Sequence, residues 1–200
     1  MTFADQSIES FLDRVASEAL TPSAGAVAAV TGASGAALCE MVCLHTLGDE
    51  TDGDGETELV ETGETLQTLR GKLLALADAD AAAVEGVRSV FAESADEQSV
   101  DEVARRATEV PLETAEVCLA ILEHAEVVAA NGTRNATADA VTGAVLAHAA
   151  LQSSLGLVRA NLPLLDSGQF HSQTVDRVDE LEHAGQQALE RARTAAQQRG

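Results

Sequence analysis

A run of small residues from Thr21 to Gly48 places the strongest constraint on how this chain can fold. After a Thr-Pro turn, the run is helical in character, and successive side chains are about 100° apart around its axis. The small residues Gly25, Ala28, Gly32, Gly35, Ala36, Cys39 and Cys43 form one stripe, and Val27, Val30, Leu38 and Met41 lie opposite. Each glycine costs about 1 kcal/mol of helix propensity. The stripe therefore predicts a helix face that another backbone, a second subunit or a flat ligand approaches closely.

Almost every other segment also shows helical periodicity, and no alternating β-branched or aromatic run indicates a strand. We expect an all-α fold, a bundle of about five to six long helices in a single domain over residues 1–200. The expected helices cover residues 7–18, 24–47, 57–93, 100–131, 135–161 and 172–198. Pro111 is expected to kink or split the fourth because proline lacks a backbone donor. A core of Ala, Leu and Val gains from added buried area, which favours a homodimer.

The charge balance excludes nucleic acid as a partner. The chain has 33 acidic and 12 basic residues and a net charge of −21, so it lacks the basic clusters that bind phosphate. The acids are scattered along the chain, and this composition resembles that of proteins from halophilic microbes. We therefore expect a surface adapted to high salt.

Three cysteines, an odd number, and the lack of a leader before Ser7 predict a cytoplasmic protein with reduced thiols. His45 points about 120° away from the stripe that carries Cys39 and Cys43. We therefore expect buried small residues there and no metal site. The segments 24–47 and 136–160 are about long enough to span a membrane, yet both carry polar residues, so they are interpreted as buried helices of a protein without a membrane partner.

Polar residues on apolar helices are the candidates for chemistry, because burial without a partner costs about 1–3 kcal/mol each. Asn135 and Asp139 are one turn apart and share a helix face, as either a helix cap with a surface acid or a ligand-binding pair. Asn161 lies about 33 Å further along the axis, so only a dimer brings Asp139 and Asn161 to one site. Asp78 and Asp80 point about 200° apart, so one is expected to face a site and the other solvent.

Several of these segments recur in one order in a known family. They are Ser7 to Leu12, Thr21 to Ala29, Met41 to Thr46 with Gly48, Asp78-Ala79-Asp80, Val110-Pro111-Leu112 with Ala115-Glu116, Gly132 with Asn135-Ala136 and Asp139, and Asn161-Leu162. In this order, over about residues 7 to 197, the chain resembles the cyclodeaminase/cyclohydrolase family. That family includes the C-terminal domain of formiminotransferase-cyclodeaminase and the stand-alone methenyltetrahydrofolate cyclohydrolases.

The resemblance implies an all-helical homodimer that binds a tetrahydrofolate derivative as substrate and uses no metal. It implies that Asp80 or Asp139 is the acid/base carboxylate. The substrate-binding residues that it implies are Thr21, Pro22, Gly25, Asn135 and Asn161. The chain departs from the family pattern at Ser23, Ala24, Ala26, Asp49 and Leu157.

Three functions follow from these features. The first is hydrolysis of 5,10-methenyltetrahydrofolate to 10-formyltetrahydrofolate, favoured because no formiminotransferase domain is attached. The second is formiminotetrahydrofolate cyclodeaminase activity, which closes the same ring with loss of ammonia. The third is a helical binding or accessory subunit that keeps the fold. It is favoured because Ser23 and Ala24 stand where the family motif has glycines, and Asp49 stands where the family usually has Lys or Arg.

Overall fold

A computed structural model describes residues 2–48, 56–93 and 97–199. Within these residues the chain forms six α-helices and no strand, so the all-α prediction is confirmed. The helices are α1 (Ile8–Val15), α2 (Ala24–Gly48), α3 (Glu56–Glu93), α4 (Glu97–Asn131), α5 (Thr137–Asn161) and α6 (Gln169–Arg199). Short 3₁₀ turns cover Phe3–Asp5, Arg134–Ala136 and Leu162–Leu164. Asp49 and the rest of the acidic segment at 49–55 lie outside the described residues.

The helix boundaries follow the sequence closely, with two differences. The first helix ends at Val15 rather than near 18, and Ser7 caps it by accepting a hydrogen bond from the Ser10 amide at 3.1 Å. Pro111 lies inside α4, which runs past it as one helix. The expected split is therefore absent, and α4 is one helix of 35 residues.

The backbones of α2 and α5 approach each other closely, in antiparallel directions. A Cβ atom added to Gly35 would lie 2.6 Å from the Gly143 carbonyl oxygen, and one added to Gly143 would lie 2.7 Å from the Gly35 carbonyl oxygen. One turn further on, the Cys39 thiol faces the Ala140 carbonyl oxygen at 3.8 Å. No side chain fits between the helices at this crossing, so glycine is required on both.

The whole small-residue stripe of α2 is buried within the subunit. Besides α5, its neighbours come from α3 and α4: a Cβ on Gly32 would meet Cys118 and Leu73 at 2.8 and 3.0 Å. The stripe therefore faces other parts of the same chain: a backbone at Gly35, and side chains of α3 and α4 at Gly32.

All three cysteines are free and buried in the core. Burial raises the pKa of the Cys39 and Cys118 thiols to about 12 and that of Cys43 to about 11. They are therefore protonated at neutral pH and pack as small apolar side chains. This agrees with the interpretation of the stripe as core.

Two stretches, Ala24–Gly48 and Arg134–Leu164, are long and apolar enough to cross a membrane by length and composition. In the bundle they pack against each other, and 50% and 44% of their most apolar windows are buried inside the protein. Their apolarity is thus accounted for by the core, since core helices of this kind carry the same pattern.

Replacing Gly35 with alanine should destabilise the protein by about 1–3 kcal/mol, because the new methyl group meets a backbone carbonyl that cannot move independently. Gly71→Ala is the matched control. It also lies inside a helix but has nothing within 4 Å of the added Cβ, so it should stabilise by about 0.5–1 kcal/mol. Urea unfolding in concentrated KCl measures both. Equal effects of the two substitutions would contradict the close crossing.

Candidate functional site

A pocket of about 460 Å³ opens at one end of the bundle, where the start of α2 meets the middle of α3 and α4 and the end of α5. Its walls are mainly apolar, with Ala83, Val84 and Val87 from α3, Pro111 from α4, Leu157 from α5, and Leu164. The polar groups among the described lining residues are Ser23, Asp80, Arg88 and Asn161. A largely apolar cavity with a few converging polar groups is the usual form of a small-molecule site.

Asp80 is the buried acid of this pocket, with only 8% of the residue exposed. Its Oδ2 atom accepts a hydrogen bond from the Ser23 hydroxyl at 2.6 Å and another from the Ala26 amide at 2.9 Å. The Ala26 amide belongs to the first turn of α2, whose amides have no partner within the helix. Both bonds fall on Oδ2, and among the described residues none falls on Oδ1.

Gly25 is explained by this carboxylate. A Cβ atom at position 25 would lie 2.0 Å from Asp80 Oδ1 and 2.5 Å from its Cγ. Any side chain there would displace Asp80 from the start of α2. Gly25, which was expected to contact a flat ligand, therefore leaves the space in which the Asp80 carboxylate packs against the start of α2.

Opposing influences act on the charge of Asp80. Burial raises the pKa of the carboxyl, while the hydrogen bonds from Ser23 and Ala26 lower it, and the net direction is upward. The positive end of the α2 dipole also favours the ionised form. An acid whose pKa is raised in a pocket can accept a proton and return it, which is the property required of a general acid/base.

Asn161 is held in the pocket through the proline of α4. Pro111 has no N–H, so the carbonyl four residues earlier, at Ala107, loses its helical partner. The Asn161 side-chain amide donates to that carbonyl at 2.8 Å. This bond ties the end of α5 to α4 and leaves the Asn161 side-chain oxygen as an acceptor beside the pocket.

The N-terminal segment supports the turn before α2. The Phe3 amide donates to the Asp78 carboxylate at 2.9 Å, and the Phe3 ring packs edge-on against Phe11. Arg14 lies over the Phe3 ring and donates to the Thr21 carbonyl at 3.2 Å. Of the two acids expected to face a site and solvent, Asp80 therefore lines the pocket, while Asp78 binds the chain's own backbone.

Thr21 and Pro22 lie beside the pocket rather than in its lining. The peptide bond between them is cis, and Pro22 is buried and lines an adjacent groove with Val15, Val27 and Ala149. Ser23 and Ala24 line both the groove and the pocket. The turn thus separates two neighbouring surface depressions.

Asp139 and Asn135 lie at the opposite end of α5. Asn135 is exposed in the turn before the helix, and Asp139 is half-buried in its first turn. From there to Asn161 the helix runs about 33 Å, so one subunit does not bring Asp139 and Asp80 together. A shared role for Asp139 stays a prediction that depends on a second copy of the chain.

Three functional groups were missed from the sequence. Ser23 was noted only as a lost glycine, yet its hydroxyl binds Asp80. The Ala26 amide carries no side-chain signal at all, and the sequence analysis names no role for Arg88, which lines the pocket. A Ser-Ala-Gly sequence at the start of a helix is the one signal available, since hydroxyl residues there supply hydrogen bonds.

An all-helical bundle with an acid seated on a helix terminus defines the class of protein to which this chain belongs. It belongs to the formiminotransferase-cyclodeaminase family, whose profile matches residues 7–180. This confirms the resemblance seen in the sequence.

Individual proteins similar to this chain carry names from the same family. A methenyltetrahydrofolate cyclohydrolase from Methylorubrum extorquens is 34% identical over 186 residues, which is 89% of this chain and 88% of that protein. The pig formimidoyltransferase-cyclodeaminase is 28% identical over 87% of this chain, and the match spans 34% of that longer protein. The crystal structure of formiminotetrahydrofolate cyclodeaminase from Thermotoga maritima superposes with a TM-score of 0.91, at 28% identity and 97% coverage of both chains.

Asp80→Asn should change how stability depends on pH. Because the pKa is raised on folding, the stabilisation from protonated Asp80 is complete below the ordinary value of 3.8 and is lost as pH rises through the folded-state value. Asparagine does not ionise, so the unfolding free energy of the variant relative to the wild type should increase as pH rises above the ordinary value of 3.8, up to the folded-state pKa. Urea unfolding at a series of pH values measures this. A difference that is constant or falls with pH would contradict the raised pKa.

Proposed function

We propose that this protein is a folate one-carbon enzyme that hydrolyses 5,10-methenyltetrahydrofolate to 10-formyltetrahydrofolate. The observation that carries the proposal is Asp80, a buried carboxylate with a raised pKa on the floor of an apolar pocket. The apolar walls suit a flat pterin and its benzoyl group. The relative from Methylorubrum extorquens, named as a cyclohydrolase, supports this choice of reaction.

The reaction needs control of a proton more than a strong nucleophile. The carbon that bridges N5 and N10 is electron-poor, and water adds to it while a base removes the proton of the water. In this proposal Asp80 accepts that proton through Oδ1, the oxygen that Ser23 and Ala26 do not bind, and returns it to N5 as the bond between carbon and N5 breaks. As that bond breaks, the added hydroxyl becomes the formyl C=O and its proton is released to solvent, which is the net proton that hydrolysis of the methenyl cation liberates. The formyl group then remains on N10, and the carboxylate returns to its starting state.

Ser23 and the Ala26 amide hold Asp80 during this cycle. Their hydrogen bonds stabilise the ionised form that acts as the base, while burial favours the protonated form that acts as the acid. The balance keeps both forms accessible, which is what a group with two successive roles requires. Asn161 supplies an additional acceptor for a substrate N–H or a water molecule.

Formiminotetrahydrofolate cyclodeaminase is the second candidate. The high structural similarity to the Thermotoga maritima enzyme of that name favours it. Its ring closure passes through a tetrahedral carbon between the same two nitrogens, and Asp80 would donate the proton that allows ammonia to leave. The same site therefore serves either reaction, and the substrate offered decides between them.

Asp80→Asn should lower kcat for 5,10-methenyltetrahydrofolate hydrolysis by about 100-fold or more, because general acid–base catalysis contributes about 10²–10⁴. The loss of the methenyl absorbance, measured in concentrated KCl against the buffer-catalysed rate, reports the reaction. Asp78→Asn is the matched control. It lies two residues away on another face of α3 and keeps an oxygen that accepts from the Phe3 amide.

Other outcomes of this assay separate the alternatives. Asp139→Asn tests the second predicted acid, and a loss of tenfold or more there would indicate a site shared between subunits. Wild-type protein that neither accelerates hydrolysis nor closes the formimino substrate, and whose Tm is unchanged by folate, would favour the non-catalytic accessory subunit. Equal activity of wild type and Asp80→Asn would overturn Asp80 as the acid/base.

We also propose that the protein is a cytoplasmic homodimer, formed through the groove beside the pocket. Val15, Pro22, Val27, Ala149 and Ser153 are among its lining residues, and none of the lining residues is charged. In a chain of net charge −21, like charges repel across most of the surface. An uncharged groove of small and apolar residues is the place where a second copy approaches at least electrostatic cost. Ser23 and Ala24 line both surfaces, so dimerisation would also complete one wall of the pocket.

Val27→Glu should convert a dimer to a monomer, because it places one more negative charge from each copy at the interface. Sedimentation velocity in concentrated KCl reports the mass of both proteins. Val60→Glu is the control, because Val60 is an exposed valine on α3 outside the groove. A monomeric wild type, or a dimer unaffected by Val27→Glu, would contradict this interface.

A further inference from the structure

The pocket has a cation at its open end. Arg88 is the only basic side chain among the described residues that line it, and 66% of its side chain is exposed. It lies eight residues beyond Asp80 on α3, which is about 12 Å along the helix axis. The buried acid and the exposed guanidinium therefore line one cavity and lie about 12 Å apart along α3.

Apolar side chains separate these two groups. Ala83, Val84 and Val87 lie between Asp80 and Arg88 on the same helix, and Leu157 and Leu164 line the pocket with them. Along the α3 wall of the cavity the order is thus carboxylate, apolar side chains, guanidinium. A matching ligand has a reacting centre at one end, a flat apolar spacer in the middle and an anion at the other end.

Arg88 already binds a carboxylate of its own helix. Its Nη2 and Nε atoms both donate to Glu85 Oε1, at 2.6 and 3.1 Å. Glu85 is one turn earlier and exposed, so this ion pair is screened by solvent and readily exchanged. A guanidinium has five N–H donors, and the contact with one oxygen of Glu85 leaves donors for a second carboxylate.

The net negative charge of the chain gives the position of Arg88 an electrostatic role. The chain carries −21, and an anionic substrate that approaches such a surface is repelled. A guanidinium at the mouth offsets that repulsion where the anion arrives, and the effect weakens as salt screens it.

We propose that Arg88 recognises the glutamate carboxylates of the folate substrate, and that Glu85 competes with them for the same guanidinium. This inference rests on the proposed function, because it takes folate as the ligand. In the bound state the carboxylate of the substrate replaces Glu85 on Arg88, while the pterin end lies against Asp80. Arg88 is then a specificity residue that acts on binding, and the chemistry stays at Asp80.

The test compares 5,10-methenyltetrahydrofolate with its dimethyl ester, in which both glutamate carboxylates are neutral. In the wild type, the acid should have the lower KM. Arg88→Gln should reduce this preference about tenfold, because it removes a charge-assisted hydrogen bond. Glu85→Gln should lower the KM of the acid, since it removes the competitor. Arg193→Gln is the matched control, because Arg193 pairs with Glu190 at the same spacing on α6, outside the pocket lining.

The outcomes distinguish this inference from the proposed function. If the wild type is active and Arg88→Gln keeps the same preference as Arg193→Gln, the role of Arg88 is wrong while the function stands. If the wild type shows no hydrolysis, calorimetric binding of 5-formyltetrahydrofolate and its dimethyl ester to the same variants still tests Arg88. An equal affinity for the acid and the ester in the wild type would overturn it.

Discussion

The close crossing of α2 and α5 is the contact on which the rest of the bundle depends. Gly35 and Gly143 allow the two backbones to touch, and no larger residue fits at either position. Because the helices are this close, the small side chains along α2 are enough to fill the core between α3, α4 and α5. A chain with few aromatic residues thus gains its packing from proximity rather than from bulk, in keeping with the dense interiors of folded proteins.

The same small residues continue to the start of α2, where they create the site. Gly25 lets Asp80 lie against the first turn of the helix, and the Ala26 amide and Ser23 hydroxyl bind its carboxylate. The helix gains a partner for an unpaired amide, and the acid gains a fixed position. One small-residue helix, α2, therefore forms part of the site at its start and packs against α5 further along. Burial raises the pKa of this acid, so its ionised form costs free energy there, as is common where a functional group is retained in a core.

Pro111 and Asn161 belong to separate sequence motifs, but they are linked in the structure through the Ala107 carbonyl. Each was part of a separate segment of the family pattern, and nothing in their spacing joined them. In the bundle, the carbonyl that Pro111 deprives of a partner is the one that Asn161 binds. Ser23 departs from the family motif, yet its hydroxyl makes the shorter of the two hydrogen bonds to Asp80. Spacing along a chain does not report which polar atoms meet across helices.

Periodicity and residue size were enough to determine the all-α class, the bounds of the long helices to within a few residues and the buried stripe of α2, because these depend on local geometry and hydrophobic pattern. The order of short motifs also identified the family. Tertiary structure alone decided which of the candidate residues share a pocket. It placed Asp80, Gly25 and Asn161 together and left Asp139 about 33 Å from Asn161 along α5, with Asn135 in the turn before that helix, because contacts between helices are set by how their faces pack and not by distance along the chain.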